Sequence, residues 1–122
     1  MKDQTDILRR ILELSETIEE GLEHIHSQLK KGKIESTITL MEDVLTGYAE
    51  VEKSIQAILP ELSSNELGNI SSKLQKAFDL IIGHYENGRV NKVGEVMQFN
   101  LLPTYKAWRH EARRVLEPSV VA

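Results

Sequence analysis

The sequence predicts an all-α chain, an antiparallel up-down-up-down four-helix bundle that forms a single domain over residues 1–122. Apolar residues recur every three or four positions along almost the whole chain, the period of a helix face. Interruptions fall only at Gly32, around Pro60 and at Asn87-Gly88, so the connections are short and successive helices become antiparallel neighbours. No stretch shows the alternation of a strand. A chain of this length buries roughly two-thirds of the surface its unfolded form exposes, enough to fold without a disulfide or metal.

The first helix is predicted over residues 3–31, with Ile7, Ile11, Leu14, Ile18, Leu22, Ile25 and Leu29 on one face. Lys30-Lys31-Gly32 stops it, because cations suit the C-terminal dipole and glycine takes the left-handed cap. The second, over 34–59, carries Ile34, Ile38, Met41, Leu45, Tyr48, Val51, Ile55 and Ile58 in a stripe that runs on to Leu62, and Pro60 marks where the helix must end or bend. Ser63 followed by Glu66 has the form of a capping box and opens the third, over 64–87, with the stripe Leu67, Ile70, Leu74, Phe78, Ile81 and Tyr85. The fourth, over 90–116, carries Val93, Met97, Leu101, Tyr105, Trp108, Ala112 and Val115. Pro103 lies inside it, lacks an N–H and meets the carbonyl of Phe99, so a kink is predicted between Phe99 and Leu102.

Composition narrows the function. Without cysteine there are no disulfides and no thiolate chemistry, which fits a reducing compartment. No apolar run approaches the roughly 20 residues that span a bilayer, and the first residues lack a signal peptide's apolar core, so a cytoplasmic chain without a membrane span is expected. Residues 1–66 carry 14 acids and 7 bases, and residues 67–122 carry 5 acids and 8 bases, within a net charge of −4. An acidic total argues against nucleic acid, whose phosphates need a concentrated basic surface.

No motif supplies catalysis or a cofactor site. There is neither a nucleophile elbow nor a glycine-rich phosphate loop. Glu23 and His26 form a lone Glu-x-x-His, where di-iron bundles use two with further carboxylates, and His24 and His26 point to different helix faces. No metal is expected. Glu13, Glu16, Glu20 and Glu23 share a face that reads as solvated, partly offset by Arg9 and Arg10.

The densest information lies in the tail, which holds three of the six aromatics. Tyr105 and Trp108 are assigned to the core, with the indole N–H reaching a partner near the surface. Phe99, Leu102, Lys106, Arg109 and Arg113 fall away from the core stripe as two apolar anchors followed by three cations, the composition that interfaces favour. This ridge is the predicted partner-binding surface. The competing reading is that the two apolar residues plug the bundle end and the cations pair with carboxylates of the first helix.

His84-Tyr-Glu-Asn-Gly88 resembles the His-x-x-Lys-Gly signature of histidine phosphotransfer domains, which are four-helix bundles of about this length. The resemblance implies His84 as phospho-acceptor, although Asn87 replaces the lysine and Asn87-Gly88 reads as a helix stop where that family's helix continues. Tyr85-Glu-Asn-Gly88 followed by Leu101-Leu-Pro-Thr-Tyr-Lys-Ala-Trp108 resembles the C-terminal half of a group of short, uncharacterised all-helical proteins from Gram-positive bacteria. That likeness implies the fold and a bacterial origin and carries no catalytic residue. In type alone, the chain is similar to cytoplasmic chaperones of flagellar and secretion substrates, which are small, acidic and helical.

The function expected from the sequence is therefore a non-enzymatic protein-interaction module, adaptor or chaperone-like, docking an acidic or helical partner through the kinked fourth helix. A phosphotransfer-like bundle using His84 is the alternative. A homodimer through a second apolar strip at Leu8 and Leu12 is a variant of the first reading.

Overall fold

A computed structural model describes residues 4–120, all of whose regular structure is helical. Helix α1 spans Gln4–Lys30, α2 spans Glu35–Ile58 and α3 spans Leu67–Glu86. A fourth helical run comprises α4 (Val90–Val96), a π turn (Met97–Leu101) and α5 (Leu102–Val120). The predicted helix start at residue 3 lies outside the described residues. Among these residues there is no strand.

Both predicted glycine stops are present. Gly32 and Gly88 have φ of +73° and +65°, a region that glycine enters without a Cβ penalty. Lys33 N–H donates to the Gln28 carbonyl at 3.0 Å and Arg89 N–H to the His84 carbonyl at 2.9 Å. These six-to-one bonds close Schellman caps on α1 and α3.

The start of α3 differs from expectation. Ser63 and Glu66 form no capping box, and a 3-10 turn at Leu59–Glu61 carries the chain past Pro60 before the helix begins at Leu67. Asn65 Oδ1 accepts the Leu67 N–H at 3.0 Å, and Glu111 Oε2 on α5 accepts the Glu66 N–H at 2.8 Å. The helix start is thus held by one local side chain and by a carboxylate 45 residues away in sequence. At the other end, the fourth run continues through Pro118. The Arg113–Glu117 ion pair, at 2.8 Å, spans that last turn.

Helix α1 packs against α2 and α5, and α3 packs against α4 and α5. Glycine brings α1 and α2 close: a Cβ on Gly21 would meet Val44 Cγ2 at 3.1 Å, and one on Gly47 would meet Ile18 at 3.4 Å. By contrast, α2 and α3 stand further apart, separated by Tyr48 and Phe78, whose rings lie 5.2 Å apart. The core is continuous. Leu22, Ile25, Leu74, Ile81, Met97, Leu101, Tyr105, Trp108 and Leu116 are fully enclosed.

At its centre Trp108 meets Tyr48 edge-on at 5.8 Å and Tyr105 at 5.5 Å. The indole N–H donates to Ser71 Oγ at 3.0 Å, and Ser71 Oγ donates to Glu52 Oε2 at 3.0 Å. The Tyr48 hydroxyl also donates to Glu52 Oε2, at 3.1 Å. Burial pushes the Tyr48 and Tyr105 hydroxyls far above the usual phenol range, so both remain protonated donors. Tyr105 uses its proton on the Ser15 carbonyl, at 2.7 Å, where the small serine leaves room. The indole's partner is therefore interior, and the expected near-surface partner is corrected to Ser71.

Two further expectations change. Leu8 is 4% exposed and belongs to the core, which removes it from the proposed Leu8–Leu12 dimer strip. Ile38, placed in the core stripe, is 47% exposed because Thr37 takes the inward position beside it, with its hydroxyl 2.8 Å from that of Tyr85.

Candidate functional site

The local geometry around Phe99 follows from the spacing of apolar residues in the fourth run. Val93, Met97, Leu101 and Tyr105 are each four residues apart and all are buried. Along a straight α-helix, with 3.6 residues per turn, three such steps rotate the stripe away from the core. The π turn absorbs this drift: Leu102 N–H donates to the Met97 carbonyl five residues back, and the widened turn brings both flanks to the core. The bulge faces outward. Gln98, Phe99 and Asn100 are consecutively exposed, with Phe99 at 68%. The π turn lies immediately upstream of Pro103, which itself sits in the first turn of α5.

The predicted ridge does not lie on one open face. Leu102 is 8% exposed, because the π turn rotates it inward beside Leu101, so it is removed from the docking set. Lys106 pairs with Glu23 at 3.2 Å, and both remain about half exposed. Arg109 pairs with Glu19 at 3.3 Å with side chains 18% and 21% exposed. Arg113 turns to Glu117 on its own helix, which raises its already high pKa. Two of the three cations therefore meet carboxylates of α1, as the competing reading expected, and Phe99 is left as the exposed apolar member.

The other candidates are placed as follows. Glu13, Glu16, Glu20 and Glu23 are exposed on α1, as a solvated face would be. No group of three or more metal-ligating side chains occurs among the described residues. His26 is held below its ordinary pKa by burial first, then by Lys30 and Lys106, and its Nε2 has no hydrogen-bond partner. His84 is half-buried in the last turn of α3, with the Arg89 guanidinium 3.5 Å from Nδ1. The helix ends two residues later, at Glu86.

A second apolar feature went unrecognised in the sequence. Where α2 and α3 stand apart, Ile38, Met41, Leu45, Ile82 and Tyr85 line a slot of about 190 Å³ with Glu42 and Glu86 at its rim. The available signal was a doubled apolar position: Ile82 follows the stripe residue Ile81, and only one of the two can face the core.

No helix among the described residues is long and apolar enough to cross a membrane. No curated protein and no solved structure matches the chain. A protein-family match covers residues 6–111, from the start of α1 through the Trp108 core and Glu111. On that match, the chain belongs to the family described as Domain of unknown function (DUF8042).

Proposed function

We propose that this chain is a non-enzymatic helical interaction module, adaptor or chaperone-like, that docks another protein through Phe99 and the π turn of its fourth helical run. The observation behind this reading is the exposure of Phe99, at 68%, in a chain whose other five aromatics are buried or half-buried. Aromatic anchors contribute heavily to interface affinity, and π turns recur at functional positions in helices. Lys106 remains on the accessible side and would steer an acidic partner.

In this reading the helices run up-down-up-down and the fourth bends at the π turn. Partner numbering supports the topology: Arg10 meets Glu50 while Gly21 faces Val44, and Glu19 meets Arg109 while Glu23 meets Lys106. A bacterial cytoplasmic setting agrees with the absence of cysteine. The alternative, phosphotransfer through His84, has the neighbouring Arg89 in its favour. Its separation from the family pattern is the helix end at Glu86.

Photocrosslinking tests the docking reading. A p-benzoylphenylalanine placed at Phe99 in living cells is expected to give a discrete adduct that the same group at Lys53, exposed on α2, does not give. Equal adducts from both positions, or none from Phe99, would overturn it.

A further inference from the structure

Resting on Phe99 as a docking anchor, we propose that its partner is a second copy of this chain: the Phe99 ring of one molecule seats in the slot between α2 and α3 of another. Ile38, Met41, Leu45, Ile82 and Tyr85 line that slot, whose volume is about 190 Å³. A cavity of about 150 Å³ takes a benzene ring, so the slot has room for a phenyl group. Met41 forms its buried floor, and Ile38, 47% exposed, presents apolar surface to the entering ring.

Charge selects the same pairing. Glu42 and Glu86 flank the slot and both are exposed. Phe99 has Lys92 seven residues before it and Lys106 seven after it, with side chains 59% and 51% exposed. Their own ion pairs, to Glu95 at 3.4 Å and to Glu23 at 3.2 Å, are solvent-exposed and exchange readily for new ones. Lys92 and Lys106 on the Phe99 side can thus exchange Glu95 and Glu23 for Glu42 and Glu86 beside the slot, which sets opposite charges across the contact. The contact joins different surfaces of the two molecules. It is small, so association on the order of 0.1 mM is expected.

Sedimentation equilibrium of the full chain, from about 0.02 to 1 mM, reads this association. The wild-type mass is expected to rise above 13.9 kDa with concentration, and to rise less at high salt. Phe99→Ala and Ile38→Glu, both at exposed positions, are each expected to remain monomeric while keeping the wild-type circular dichroism. An equimolar mixture of the two variants is expected to associate again, because one molecule keeps the anchor and the other keeps the slot.

A wild type that stays monomeric at 1 mM would overturn the proposal, as would association that survives either substitution. A mixture that fails to associate would also overturn it, by removing the slot as the acceptor. A crosslink from Phe99 to a different protein, together with a monomeric wild type, would defeat self-association and leave the docking reading standing.

Discussion

Trp108→Ala is expected to lower the unfolding free energy by about 3–5 kcal/mol, the range for truncating a large enclosed aromatic. The side chain is fully buried and contacts both Tyr48 and Tyr105, so its removal opens a cavity where α2, α3 and α5 converge. It also takes a donor from Ser71 Oγ in the interior, where an unmade bond costs about 1–3 kcal/mol. Urea unfolding followed by circular dichroism measures the loss, since the substitution removes the chain's only tryptophan and its fluorescence. Trp108→Phe separates the contributions by keeping much of the ring packing while deleting the N–H. It should fall between wild type and alanine, and a loss of less than about 1 kcal/mol for Trp108→Ala would contradict the central place given to this residue.

Glu111→Ala is expected to cost about 2–3 kcal/mol, as loss of a buried carboxylate that accepts three hydrogen bonds from two residues. Its oxygens accept from Arg114 Nε at 2.8 Å and from the Glu66 N–H at 2.8 Å, joining α5 to the start of α3. The Arg114 hydrogen bond, then the Glu66 N–H, pulls the Glu111 carboxyl from about 4.5 down to about 2. A depressed folded-state pKa means that the unfolded chain takes up the proton first. This contribution is therefore complete above pH about 4.5 and disappears as the pH falls towards about 2. The stability difference between wild type and Glu111→Gln, measured by urea unfolding across that window, should shrink with acidification. A difference independent of pH would show that the carboxylate's charge is not what holds α3.

The helices were legible because they rest on local signals. Gly32 and Gly88 mark caps that need only a positive φ, and the period of three to four residues names most of the buried face of each helix. Glu111 was illegible for the opposite reason. Its partner N–H lies 45 residues upstream, and the local pair Ser63 and Glu66 offered a plausible cap that the chain does not use. Three-residue spacing puts Leu102 on the outward face with Phe99, and only the extra residue of a π turn carries it inward. The correction was available in the run Val93, Met97, Leu101, Tyr105, whose repeated four-residue step a plain α-helix cannot keep on one face. The slot between α2 and α3 depends on how far Tyr48 and Phe78 hold two helices apart, a distance that no single helix encodes.

The π turn at Met97–Leu101 also gives the chain one place where its length can change inside a helix. Removing a residue elsewhere in a core helix turns every later side chain by about 100° and carries the apolar face into water. Here one of Gln98, Phe99 and Asn100 is surplus to the register. Shortening the segment by a residue would restore plain helix and leave Val93 and Met97 on one side, and Tyr105 and Trp108 on the other, facing the same interior. In this chain a one-residue deletion would thus remove the outward bulge that carries Phe99 without rebuilding the core.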